Sequence, residues 1–154
     1  MMNKFKKKFS SIDEKSLERR SNTKEERKVK EDLPKVVFSF KDFDVRQIPP
    51  GQSYPEWQEK KLLAYMVEKF GEICKCNMVE AQQQRMIKIY GAFPPSSGFR
   101  YPQTVIQDKN INWAVVMDIK GQKPRVAGHI IGNVFYVVFL DAEHLFFPSE
   151  LKHT

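Results

Sequence analysis

The sequence predicts an α+β fold: a single domain whose antiparallel sheet comes mainly from the C-terminal half, with one or two helices packed on one face. Three observations carry this. Apolar residues alternate at Val36, Phe38 and Phe40, which is the period of a β-strand, and the last third is strand-rich over residues 111–119, 124–131 and 134–140. Between residues 55 and 70 the apolar residues instead recur at helical spacing. A length of 154 residues, 41% of them hydrophobic, suits one core and leaves no room for a second full domain.

Residues 1–32 hold eleven Lys and Arg against seven Asp and Glu, +4 of the chain's net +7, with few large apolar residues. Such a stretch buries too little surface to offset its ordering entropy. A basic disordered tail, or a helix that needs a partner, is expected before a domain spanning 33–154. The first strand lies near 36–40. A polar loop with Pro49-Pro50-Gly51 follows, and Ser53-Tyr54-Pro55-Glu56 then reads as a capping box with proline in the first turn. Trp57, Leu62, Leu63, Met66, Val67 and Phe70 continue it as one helix over 55–70, with Gly71 as C-terminal cap. Residues 73–84 fit a short strand or a second helix around 78–85. Residues 86–90 form a strand ended by Gly91, and the prolines and aromatics of 93–102 mark a loop.

Gly121-Gln122 and Gly132-Asn133 are both two-residue hairpin signals. If Gly132-Asn133 is a tight turn, His129 faces Tyr136 and Ile130 faces Phe135. Val126, Gly128, Ile130, Phe135, Val137 and Phe139 then share the core face, and Arg125, Ala127, His129, Ile131, Tyr136, Val138 and Leu140 share the other. A tight turn at Gly121-Gln122 would add Trp113, Val115 and Met117 to the core face and set Asp118 against Arg125, neutralising it. The two turns conflict, because a strand between them needs an even number of residues and 123–131 has nine. A bulge or a different loop must resolve this, and Gly128 and Pro124 are its candidate positions. Residues 134–140, apolar on both faces, read as the middle of the sheet.

No apolar run approaches the roughly 18 residues of a membrane span, and the N-terminus lacks a signal peptide's apolar stretch. A cytoplasmic protein without a membrane partner is expected. Cys74 and Cys76 are too close for an unstrained bridge, and with His129, His144 and His153 far downstream they make no zinc pattern. No metal or other cofactor is expected. Phosphate-binding glycine loops, nucleophile elbows and paired-carboxylate motifs are absent from the sequence.

Charge placement is more informative. Residues 81–107 contain Arg85, Lys88 and Arg100 but no acid, and residues 119–140 contain Lys120, Lys123, Arg125 and His129 but no acid. Two such stretches favour phosphate contact where a fold brings them together. Tyr90, Phe93, Phe99, Tyr101 and Tyr136 are interleaved with them, as side chains that stack on unpaired bases are. Lys88, Arg100, Lys120, Lys123 and Tyr101 are therefore the expected RNA-binding residues. His129 facing Tyr136, with Arg125 nearby, supplies an acid or base, a phenol and a cation for a phosphorane-like transition state. These three are the candidate catalytic residues for metal-free RNA cleavage, and His144 is a second imidazole candidate.

Lys88-Ile89-Tyr90-Gly91-Ala92-Phe93-Pro94-Pro95, with the run from Gly128 to Asp141, makes residues about 35–154 resemble a family of small, uncharacterised bacterial proteins. More loosely, the order of strand, helices and closing antiparallel sheet is similar to the RelE-type toxin superfamily, whose members cleave mRNA without metal and pair with an antitoxin. That resemblance implies a metal-independent endoribonuclease of toxin type, with RNA as target and an antitoxin or another protein as partner. The chain departs from the superfamily in its long proline-rich loop, its basic N-terminal extension and the lack of a Lys/Arg cluster on its final strand. The alternative is a non-enzymatic protein-binding module that uses an apolar sheet face or the loop 93–102, with Phe99, Tyr101 and Phe147 exposed.

Overall fold

A computed structural model describes residues 33–106 and 110–148; the segment 1–32 expected as a tail lies outside the described residues. Five strands form one sheet in the order β1-β5-β4-β3-β2: β1 (Val37–Ser39), β2 (Ile87–Gly91), β3 (Asn112–Val116), β4 (Arg125–Ile131) and β5 (Val134–Asp141). β1 runs parallel to β5, and every other pairing is antiparallel. The apolar run 134–140 is thus an interior strand, while β4 holds the centre. Ile131 pairs with Val134, so Gly132-Asn133 is the tight turn its sequence predicts, with Gly132 at φ +60°.

The expected single helix is two: α1 (Tyr54–Glu59) and α2 (Leu63–Ile73). Ser53 caps α1 by accepting from the Glu56 N–H at 3.3 Å, as the capping signal requires. The chain then turns out of the helix at Lys61, φ +58°, where Leu62 N–H donates to Trp57 O and Lys61 N–H to Gln58 O. That is a Schellman motif with lysine at the place glycine usually takes, so no glycine announces it. Gly71 lies inside α2, and the cap is Cys74. A third helix, α3 (Met78–Gln83), starts at a full Asn77–Glu80 capping box and resolves the ambiguity of 73–84.

Helix residues Trp57, Leu62, Met66, Phe70, Ile73 and Ala81 pack on sheet residues Ala114, Val116, Val126, Ile130, Phe135, Val137 and Leu140. All of these are buried, and together they form the first core. The second core lies on the opposite face, where Trp113, Val115, Ala127, Val138 and Phe139 meet Phe99, Val105 and Phe146. The proline-rich loop and the C-terminal segment therefore cover the second apolar face of the strand 134–140. Phe99 is buried against Phe139 and Phe146 rather than exposed.

Two expected face assignments change, with one cause each. No tight turn exists at Gly121-Gln122; residues 117–124 join β3 to β4, and Trp113 pairs with His129, which puts Trp113 and Val115 on the loop-covered face. A bulge at β5 shifts the register between Ala127 and Gly128, so that Ala127 pairs with Phe139 while Gly128 pairs with Val137. Val138 is the extra residue, and beyond it Phe139 and Leu140 exchange the faces expected of them. Gly128 is obligatory there, since a Cβ would lie 1.9 Å from Tyr136 O. The odd length of 123–131 is thus resolved by both devices, a bulge and a longer loop. No described helix is long and apolar enough to cross a membrane.

Candidate functional site

The loop-covered face carries polar groups at both ends of its aromatic middle. Arg125, Ala127 and His129 alternate along β4 and so share this face, with Arg125 and His129 about 13 Å apart by strand rise.

At the His129 end the imidazole is enclosed and held by a carboxylate. The imidazole is 3% exposed, and its Nε2–H donates to Asp42 Oδ2 at 3.0 Å. A carboxylate only accepts, so the proton sits on Nε2. Tyr136, the cross-strand partner, stacks on the ring at 4.8 Å and 7°, and Trp113 meets it edge-on. Nδ1 is buried without a hydrogen-bond partner among the described residues. The pair His129–Asp42 ties the 41–44 loop to the sheet, and Thr104 donates to Asp42 O at 2.7 Å, tying the proline-rich loop to the same point. Neither imidazole nitrogen reaches the surface.

The Arg125 end is different. Its cross-strand partner is Asp141, not Asp118, and the expected neutralisation does not occur. Asp141 uses both oxygens elsewhere: Oδ1 accepts from the Leu145 N–H at 2.9 Å and Oδ2 from the Phe146 N–H at 2.8 Å. Burial pushes the Asp141 carboxyl above its usual range, against those two hydrogen bonds and the nearby His144. Arg125 keeps Nε and Nη1 buried with no hydrogen-bond partner among the described residues. The turn that Asp141 caps carries His144 at φ +59°. Burial, then the charge of Arg125 and more weakly that of Lys88, hold this half-buried imidazole below its ordinary pKa, with Asp141 opposing. Lys88, on the edge strand in register with Val115 and through it with Ala127, shares the face. Its ammonium lies 4.9 Å over the Tyr90 ring, which stacks on Phe147 at 3.7 Å.

The two acid-free stretches therefore share a face through Lys88 and Arg125, and the charges of both act on His144. The other expected contacts go elsewhere. Lys120 sits over the Tyr65 ring of α2, on the helical side, and Lys123 pairs with Glu143 at 2.9 Å, holding that carboxyl below its usual range. Arg100 and Tyr101 line a separate cleft of about 220 Å³ with Asp44, Gln47, Gln103 and the bulge residues Val138 and Phe139. Asp42 and the cleft residues Asp44, Gln47 and Gln103 escaped the sequence reading. Each comes from an irregular loop, where no period reveals which way a side chain points. Cys74 is exposed and Cys76 buried, and no three His, Cys, Asp or Glu side chains converge among the described residues. No family model, curated protein or solved structure matches this chain.

Proposed function

We propose that the protein is RNA-directed and seats a backbone phosphate against Arg125, with Lys88 and His144 beside it. The observation that supports this is the guanidinium of Arg125, half-buried, short of two hydrogen-bond partners and facing a carboxylate already committed to backbone amides. A cation so placed lacks the neutralising partner that buried charges normally have, and a phosphate oxygen supplies both charge and acceptors. Inorganic anions would satisfy the same donors. The basic surplus of the chain and the aromatic column Lys88–Tyr90–Phe147 favour a polyanion that also carries bases.

In the toxin-type reading, His144 rather than His129 takes the proton from an attacking 2′-hydroxyl as the 2′-oxygen bonds to phosphorus and the bond to the 5′-oxygen breaks, the departing 5′-oxygen taking a proton from water to leave a 2′,3′-cyclic phosphate. His144 is partly exposed beside the phosphate position, and its depressed pKa keeps it neutral near pH 7, as a base must be. His129 is spent on Asp42.

Fluorescence anisotropy with labelled single-stranded RNA tests the binding. Affinity should fall steeply between about 50 and 200 mM salt, and Arg125→Ala should weaken it and reduce the log–log salt slope by about 1. Binding that ignores salt, or an unaffected Arg125→Ala variant, overturns the reading.

A further inference from the structure

The cleft over the β5 bulge lies apart from the phosphate corner and is built on a defined floor. The bulge at Val138 takes a carbonyl out of the strand ladder, and Gln47 Nε2 satisfies it at 3.0 Å while also donating to Asp44 O at 2.6 Å. The floor is thus locked by a side chain reaching in from the 42–52 loop. Val138, Phe139, Tyr101 and Pro102 make the cleft's apolar surface.

Three of its polar side chains, Asp44, Arg100 and Gln103, are exposed and can turn to a ligand. Arg100 and Gln103 form no hydrogen bond or ion pair with the described residues, and Asp44 spends Oδ1 on the Arg46 N–H at 2.8 Å and leaves Oδ2 unused. A carboxylate and a guanidinium line one small cleft without pairing to each other. The Asp44 carboxylate offers only acceptors and the Arg100 guanidinium only donors, while the Gln103 amide offers both. A ligand that engages both side chains carries donors for Asp44, acceptors for Arg100 and an apolar face for Tyr101, Pro102, Val138 and Phe139.

We infer that this cleft takes a single unpaired guanine base, with Asp44 accepting from its N1–H and N2–H₂ edge and Arg100 donating to O6 and N7. Guanine is the base that presents O6 and N7 as adjacent acceptors, the pair a guanidinium reads in bidentate fashion, together with an exocyclic donor. Single-stranded RNA offers such edges because its bases are unstacked and accessible. The inference rests on the RNA reading above and names the base that reading leaves open.

The test uses the full chain and two probes. Guanosine 5′-monophosphate, titrated into isotope-labelled protein, should shift the backbone resonances of Gln103, Val138 and Phe139, and adenosine, cytidine and uridine monophosphates should not. Single-stranded RNA containing guanosine should then bind at least about five-fold tighter than guanosine-free RNA of equal length, the lower end of what a bidentate base contact provides. Asp44→Asn and Arg100→Ala should each remove that preference. Arg125→Ala should weaken both RNAs by the same factor. Equal shifts from all four mononucleotides, no shift at the cleft, or a preference that survives both cleft variants each overturns the inference. If neither RNA binds but guanosine monophosphate still shifts the cleft, the RNA reading fails and the guanine site stands.

Discussion

The two ends of the loop-covered face hold the same kinds of residue and use them in opposite ways. His129 and Asp42 bury an imidazole and a carboxylate 3.0 Å apart, under Tyr136 and Trp113. Arg125 and Asp141 are also a cation and a carboxylate, on directly paired positions, yet they form no ion pair. The difference is what else the carboxylate does. Asp42 turns its Oδ2 toward the sheet, whereas Asp141 gives both oxygens to the backbone amides of the turn that follows β5. Burial with a partner builds structure, and burial without one leaves a receptor.

The largest effect should come from the glycine between the two ends. Gly128→Ala places a methyl 1.9 Å from Tyr136 O, and neither backbone can yield without losing the bulge. A loss of about 4 kcal/mol or more in a urea melt, or failure to fold, is expected. An Asp42→Ala variant should be destabilised by about 2 kcal/mol, because it strands the buried His129 donor, and its RNA affinity should match the parent's. Arg125→Ala should do the reverse, weakening RNA by about ten-fold with little change in the melt. Equal behaviour of these two variants in both assays would erase the contrast.

A smaller effect follows from His144, which sits among Arg125, Lys88 and Asp141. An arriving phosphate favours imidazolium, so binding takes up a proton, and affinity should rise a few-fold as pH drops below about 6.5. The free protein should change in the other direction. With the folded pKa of His144 below its unfolded value, protonation favours the unfolded chain, and this residue's contribution to stability falls over the same window. Calorimetric titrations at two pH values check the binding, and the rise should vanish in His144→Asn. The smallest effect is expected of Tyr136→Phe, which keeps the stack on His129. Both melt and RNA affinity should change by less than about 0.5 kcal/mol.

Much of the frame was readable in one dimension. Ser53 marked the start of α1, Gly132-Asn133 marked its hairpin, and the nine residues of 123–131 showed that two tight turns could not coexist. The breaks that escaped notice have non-glycine residues in left-handed positions. Lys61 ends α1 and Arg85 follows α3 at φ +58°, and composition gives no hint of either. Candidate sites were harder. His129, Tyr136 and Arg125 do share a face, as alternation requires, but alternation says nothing about lids. Whether a side chain in that row meets solvent depends on Phe99, Val105 and Phe146, which come from loops outside the hairpin.

The sequence by itself determined the α+β class, the start of α1, one hairpin and the presence of two basic stretches without acids. These follow from near-neighbour physics: side-chain period, capping and turn chemistry act within a few residues. Tertiary structure decided that Asp42 rather than solvent meets His129, that Asp141 withholds its carboxylate from Arg125, and that Lys88 joins Arg125 at one corner. Those outcomes depend on contacts between residues far apart in the chain, where a hydrogen bond made or refused changes a charge from structural to available.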